Sequence, residues 1–116
     1  MNDRLKFRVW DKISKRYFYL ELKFGDNGYH PDFITDPVFE QCTGLKDKNG
    51  NLIYEGDLIK GTGRIKYQIM WKDARFVAVA TKEFDYMPDN LLNQKWLDTC
   101  KLEIIGNIHK QPEQKD

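Results

Sequence analysis

Two runs of alternating apolar and polar residues near the start of the chain constrain its fold most strongly. In the first run the apolar positions are odd, in the second they are even, and the polar segment 11–16 separates the two. A period of two residues is typical of a half-buried β-strand. The sequence therefore predicts an N-terminal β-hairpin over residues 5–24, with one apolar face formed by Leu5, Phe7, Val9, Phe18, Leu20, Leu22 and Phe24.

The choice of apolar residues favours strands in the rest of the chain as well. Three Ala stand against thirteen Ile and Val and sixteen aromatic residues, and β-branched and aromatic side chains pack well on pleated surfaces. Pro31 and Pro37 lack a backbone donor, so we expect a loop with at most one short strand over residues 29–42. Further short strands, separated by polar or Gly-containing turns, are predicted at 52–54, 58–60, 64–71, 76–81 and 101–109.

One segment near the end has a helical pattern instead. The carboxylate of Asp89 is suited to capping a helix start, and Leu92 and Trp96 are spaced to share a helix face. We therefore expect a single domain over residues 1–116 that is mainly β. Its short strands would form a strongly bent sheet or an SH3-like partial barrel, with the N-terminal hairpin, one short helix near 89–98, and a frayed end at 110–116.

Charge and cysteine usage exclude several classes of protein. A net charge of +1 does not fit a strong, non-specific DNA-coating protein. The apolar runs are too short for a membrane span, and the first residues lack the apolar core of a signal peptide. Cys42 and Cys100 stand far apart without a CxxC pair, so we expect two separate thiols in a cytoplasmic protein.

Turn-forming residues dominate the segment from Thr43 to Lys60. Gly, Asn and Asp recur where the backbone must reverse, so these polar residues are interpreted as structural: Gly44, Asp47, Asn49, Gly50, Gly56 and Asp57. The alternative is a loop surface offered to a partner, with Lys46, Lys48 and Tyr54 as its contact residues.

No arrangement of side chains predicts catalysis. The best candidates for a metal-dependent nuclease, Asp26, His30, Asp32 and Asp36, match neither an EF-hand nor a helical zinc motif. Ser14 is the only serine, it lies in a predicted turn, and no spacing indicates a catalytic triad. We expect no enzyme activity, no metal and no cofactor.

The first hairpin is the best candidate for a nucleic-acid interface. Residues 1–24 carry seven basic and three acidic side chains. Basic groups neutralise phosphates while aromatic rings stack on unpaired bases. This hypothesis assigns binding to the polar face and turn of the hairpin, namely Lys6, Arg8, Trp10, Lys15, Arg16, Tyr17, Tyr19 and Lys23.

Three blocks in one order resemble the YopX family of phage and prophage proteins. They are Lys6–Asp11, the stretch Gln41–Gly50 followed by Ile53–Asp57, and Leu102–Ile108. The resemblance covers residues 6–113. Its departures are Val9 where the family tends to have Ala, His109 in place of Tyr, and a less acidic ending.

The resemblance has limited functional content. It implies a small, largely β protein encoded by a phage or prophage in a bacterium, and the family has no established biochemical activity. It carries over no catalytic residue. We expect a non-enzymatic accessory protein that binds a host or phage protein, with nucleic-acid binding as the alternative. A homo-oligomer would also be consistent with such a protein.

Overall fold

The computed structural model describes residues 6–21, 37–63, 65–81 and 88–109. These residues form nine β-strands and one α-helix. In chain order they are β1 (Lys6–Asp11), β2 (Arg16–Glu21), β3 (Pro37–Lys46), β4 (Leu52–Tyr54), β5 (Asp57–Lys60), β6 (Lys66–Lys72), β7 (Arg75–Ala80), β8 (Asn90–Leu91), α1 (Gln94–Thr99) and β9 (Glu103–Asn107). The mainly-β prediction with one short helix is confirmed.

The strands are arranged in two antiparallel sheets. The first has the order β2-β1-β3-β4 and the second β8-β7-β6-β5-β9. The first sheet curls strongly into a half-barrel. Strand β3 has a register shift between Cys42 and Lys46, and Gly44 within this irregularity has a φ of +83°. Such irregularities bend a strand and increase its twist.

The hairpin register agrees with the period-two pattern of the sequence. Phe7 lies opposite Leu20, and Val9 lies opposite both Phe18 and Phe39. One face of the first sheet is therefore apolar, as predicted. The polar face, however, is turned inward, because Arg8 and Trp10 are each only 5% exposed.

The loop prediction for residues 29–42 is wrong from Pro37 onward. Strand β3 begins at Pro37 and lies inside the first sheet, between β1 and β4. Proline is tolerated there because it occupies the first position of the strand, opposite Asp11 at the end of β1. The earlier part of the predicted loop, including Pro31, lies outside the described residues.

The helix starts later than predicted. Asn93 caps it, since its side-chain oxygen accepts a hydrogen bond from the Trp96 amide at 2.8 Å. The preceding residues Asn90–Leu91 pair with β7 instead. Asp89 does not cap the helix, because its carboxylate binds the Lys72 ammonium at 2.7 Å.

A continuous apolar core lies between α1, the second sheet and the β3–β4 hairpin. It consists of the buried side chains Ile53, Ile59, Ile69, Ala78, Leu92, Leu97 and Leu102. Leu45, Trp96 and Ile104 pack against it from the edge. No helix among the described ranges is long and apolar enough to cross a membrane. The frayed end predicted for residues 110–116 lies outside the described residues.

Asp47 fixes the loop between β3 and β4. Its Oδ1 accepts hydrogen bonds from the amides of Asn49 and Asn51, each at 2.9 Å. Its Oδ2 accepts one from the amide of Ile104 on β9 at 3.0 Å. One buried carboxylate thus closes the loop and ties it to the second sheet.

Replacement of Asp47 by Ala is expected to destabilise the fold. The change leaves three backbone amides without their acceptor, and a buried unsatisfied donor costs about 1–3 kcal/mol. We expect Asp47→Ala to lower the free energy of unfolding by about 3 kcal/mol, measured by urea denaturation. Lys46→Ala, at an exposed neighbouring side chain, is the control and is expected to change it by less than about 0.5 kcal/mol. Equal effects of the two substitutions would contradict this role of Asp47.

Candidate functional site

The inward face of the first sheet carries a buried ion pair. Arg8 on β1 and Glu40 on β3 are cross-strand partners, and Arg8 Nε lies 2.7 Å from Glu40 Oε1. Both side chains are almost fully buried. Neighbouring strands therefore bring together two charges that are 32 residues apart in the sequence.

The same guanidinium reaches the second sheet. Arg8 Nη2 lies 2.7 Å from Oδ1 of Asp57, the first residue of β5, and donates a hydrogen bond to the Glu55 carbonyl at 3.2 Å. The other oxygen of Asp57 accepts the Tyr54 amide at 2.8 Å. We call the set Arg8, Tyr17, Glu40, Tyr54, Asp57 and His109 the charged junction.

Aromatic rings enclose the guanidinium. Its central carbon lies 4.3 Å from the ring centre of Tyr17 and 4.9 Å from that of Tyr54. The Tyr17 hydroxyl also donates to Glu40 Oε1 at 3.0 Å. Cation–π contacts strengthen when water is excluded, so the tyrosines stabilise the buried charge without neutralising it.

His109 completes the charged junction from the end of the second sheet. Its Nε2 lies 2.9 Å from Glu40 Oε2, and its ring stacks on Trp10 with centroids 4.7 Å apart and planes 8° from parallel. The preceding residue, Ile108, donates its amide to the Gly56 carbonyl at 3.0 Å. The chain after β9 is thereby attached to the first sheet.

The charged junction contains more acid than permanent base. Two carboxylates share one guanidinium, and burial together with the nearby Glu40 charge raises the pKa of Asp57 to about 6 although Arg8 acts in the opposite direction. Burial would lower the pKa of Arg8, but Asp57 and Glu40 outweigh it and raise that pKa. Burial also raises the pKa of Tyr17 and that of Tyr54, the latter to about 12.

The groups of the charged junction are occupied by one another. No buried side-chain nitrogen or oxygen in the described part of the chain lacks a hydrogen-bond partner. No group of three metal-ligating side chains occurs in that part either. The geometry is that of an internal connection between two sheets, in which each polar atom holds another in place.

A pocket of about 180 Å³ opens on a different part of the surface. The loop Gly61–Gly63 forms one wall, followed by Ile65 and Tyr67 at the start of β6. Trp96, Cys100 and Leu102, on and after α1, form the opposite wall. The rings of Tyr67 and Trp96 meet edge to face with centroids 5.3 Å apart, so most of the lining is apolar.

Gly61 allows the two walls to meet at the base of the pocket. A Cβ atom at this position would lie 2.5 Å from the Cys100 carbonyl oxygen. Gly63 is different, because a Cβ atom there would have nothing within 4 Å. Cys100 is exposed and Cys42 is buried, and the two are not bonded to each other. The expectation of two separate thiols is confirmed.

The predicted nucleic-acid face does not form one exposed surface. Arg8 and Trp10 are buried, and Tyr17 is half-buried in the charged junction. Lys15, Arg16 and Tyr19 are exposed, and Lys6 is half-buried. The prediction is wrong for Arg8 and Trp10, because the side chains that bind them come from distant segments. Lys23 lies outside the described residues.

The predicted partner surface is also divided. Lys46 and Lys48 are exposed, and Lys48 pairs with Glu103 at 2.7 Å. Tyr54 is only 8% exposed because it covers Arg8, so its assignment to a partner surface is wrong. The candidate metal ligands Asp26, His30, Asp32 and Asp36 lie outside the described residues.

The remaining residues of the turn motif lie where the chain bends. Gly50 and Gly56 have φ values of +85° and +90°, and Asp47 and Asp57 accept backbone amides of their own turns. The sequence interpretation missed Glu40, which fell in a predicted loop, and His109. The alternation of Glu40 with Phe39 and Gln41 was the available signal for a strand with an inward carboxylate.

Gly56 is expected to be more sensitive to substitution than Gly50. Both have positive φ, where a side chain costs about 1–2 kcal/mol, but a Cβ atom at Gly56 would also lie 2.7 Å from Glu40 Oε2. That oxygen is held by His109 and cannot move without loss of the contact. We expect Gly56→Ala to destabilise the protein by roughly twice as much as Gly50→Ala in urea denaturation. Equal destabilisation would contradict the close packing at Gly56.

The pKa of Asp57 predicts a pH dependence of stability. Because its folded-state pKa is raised to about 6 from an unfolded value of about 4, the folded state retains a proton between these values that the unfolded state has released. This contribution to stability is complete below pH 4 and is lost as the pH rises to 6. The stability of the wild type relative to Asp57→Asn is therefore expected to fall between pH 4 and 6 and to stay constant above. A difference that rises over this range, measured by urea denaturation at each pH, would contradict the raised pKa.

Comparison with known proteins identifies the family of the chain. No curated protein matches the sequence. The crystal structure of protein EF1440 from Enterococcus faecalis is similar, with a TM-score of 0.59 and 27% sequence identity over 90% of this chain and 92% of that chain. The sequence profile of the YopX protein matches residues 22–114, which is most of the chain and includes the turn motif, the charged junction residues from Glu40 onward and the pocket. The chain therefore belongs to the YopX family.

Proposed function

We propose that this chain is a phage- or prophage-encoded accessory protein of the bacterial cytoplasm that has no catalytic activity and acts by binding a host or phage protein. The observation that carries the proposal is the pocket between the Gly61–Gly63 loop and α1. It is open at the surface and its lining is apolar, with Tyr67, Trp96 and Leu102 contributing large side chains. Concave apolar surfaces of this kind accept anchor side chains at protein interfaces.

The chemistry around the pocket supports binding rather than catalysis. Its lining contains Thr62 and Cys100 as the side chains with polar atoms apart from Tyr67 and Trp96, and contains neither a carboxylate nor an imidazole. General acid–base catalysis needs a titratable group within hydrogen-bond reach of the substrate. The buried titratable groups of the charged junction are already bonded to one another.

Nucleic-acid binding by the first hairpin is the weaker candidate. Two of its central residues, Arg8 and Trp10, are buried. A base cannot stack on a ring that is already covered, and a phosphate would have to displace the carboxylates from Arg8. The exposed Lys15, Arg16 and Tyr19 remain, but they belong to a turn and an adjoining strand with no associated pocket on the page of contacts that support them.

Site-specific photo-crosslinking tests the proposal. A photoreactive benzoylphenylalanine is introduced at Thr99, an exposed residue next to pocket-lining Cys100, and in a control at Arg75, an exposed residue at the far end of β6 and β7. In irradiated host cells, Thr99 is expected to give a discrete crosslink to another protein and Arg75 is not. Crosslinks of equal pattern at both positions, or none from Thr99 in a folded variant, would contradict a protein-binding role for the pocket.

A further inference from the structure

The charge around the pocket differs from that of the whole chain. The two segments that line it, 60–67 and 94–102, contain five basic residues and one acidic residue, whereas the chain as a whole has a net charge of +1. The basic residues are Lys60, Arg64, Lys66, Lys95 and Lys101, and the acidic residue is Asp98. The pocket therefore lies in the most unevenly charged part of the described surface that also has a concave shape.

These basic groups are not neutralised from within. Lys95 and Lys101 are exposed, and Lys60 and Lys66 are half-buried. None of these four forms an ion pair with another described residue, whereas Lys48 and Lys72 each bind a carboxylate at 2.7 Å. Glu103, which follows the pocket-lining Leu102, is itself paired with Lys48. An external anionic group would meet an uncompensated positive potential within a Debye length of about 8 Å.

The size of the pocket limits what enters it. Its volume of about 180 Å³ is below the range of about 300–1,000 Å³ that is usual for a complete small-molecule ligand. The space suits one large apolar side chain, which would contact Tyr67, Trp96 and Leu102. A concave site also restricts flat stacking, because Trp96 already meets Tyr67 edge to face.

We infer that the pocket binds an acidic peptide segment of the partner, with one large aliphatic or aromatic side chain inserted as the anchor and flanking Asp or Glu residues facing the surrounding lysines. This inference rests on the proposed protein-binding function and specifies the chemistry of the partner. The apolar anchor supplies most of the affinity, as buried anchors do at interfaces. The flanking charges speed association and exclude basic partners.

Fluorescence anisotropy with synthetic peptides tests the inference. The probes are fluorescein-labelled nine-residue peptides with Phe, Leu, Trp or Met at the centre and two acidic residues on each side. Matched peptides replace the central residue by Ala, or the four acidic residues by Lys. At least one acidic peptide is expected to bind at least tenfold more tightly than its Ala-centred match and to weaken several-fold between 50 and 300 mM salt, while the Lys-flanked peptides do not saturate.

Variants locate the binding. Gly63→Leu adds a side chain where nothing lies within 4 Å and is expected to fill the pocket and reduce peptide affinity at least tenfold. Lys95→Glu is expected to reduce it several-fold without altering the fold. The matched control Arg75→Glu, an equal change of charge at the far end of β6 and β7, is expected to leave affinity unchanged.

Three results would overturn the inference. They are the absence of saturable binding by every acidic peptide, equal affinity for the Ala-centred match, and equal effects of Lys95→Glu and Arg75→Glu. Preferential binding of a single-stranded oligonucleotide, lost in Lys95→Glu, would overturn it in favour of a nucleic-acid partner. If Thr99 crosslinks to a protein while the acidic peptides fail, only the peptide chemistry is wrong. If Thr99 gives no crosslink, the proposed function itself fails.

Discussion

The ion pairs of Arg8 with Glu40 and Asp57 connect two sheets that meet through few other polar contacts among the residues described. Glu40 belongs to the first sheet and Asp57 to the second, so the guanidinium fixes the distance and angle between β3 and β5. Burial of such charges is costly, and a buried pair replaced by apolar residues is often no less stable. Loss of one partner is different, because the remaining charge is left buried and uncompensated. The arrangement therefore specifies how the sheets meet more than it adds to the net free energy of folding.

This junction also explains which parts of the fold could be predicted from sequence. Turns and strand alternation depend on neighbouring residues, so the β1–β2 hairpin and the Asp47 loop follow from local pattern. The inward orientation of Arg8 does not, because Glu40, Asp57 and His109 lie 32 or more residues away. The period-two pattern separates the two faces of a strand, but a basic face reads as solvated unless its distant partners are known. For the same reason, strand β3 was hidden behind Pro37, whose position in the strand is set by its pairing with β1.

The pocket could not be predicted for a related reason. Its walls come from a loop near residue 62 and a helix near residue 96, and neither segment alone contains a binding motif. The helix prediction placed Trp96 on an apolar face with Leu92, which agrees with their packing at the core. The sequence did not indicate that one side of Trp96 would remain accessible next to Tyr67 and Cys100. The close approach at Gly61, where a Cβ atom would meet the Cys100 carbonyl, becomes informative only when both walls are known.

The two clusters of charge in the molecule have opposite physical consequences. In the charged junction, the positive group is enclosed by carboxylates and aromatic rings, so a ligand gains little by approaching it and the fold loses much if it is removed. Around the pocket, the lysines lack internal partners among the described residues and lie at or near the surface, so a change of sign there alters the external field at small cost to stability. The motif that identifies the family contributes Asp57 to the first cluster, whereas the pocket draws on residues outside that motif. Family membership therefore constrains how the sheets are joined, while the identity of the partner depends on side chains that can vary without disturbing that joint.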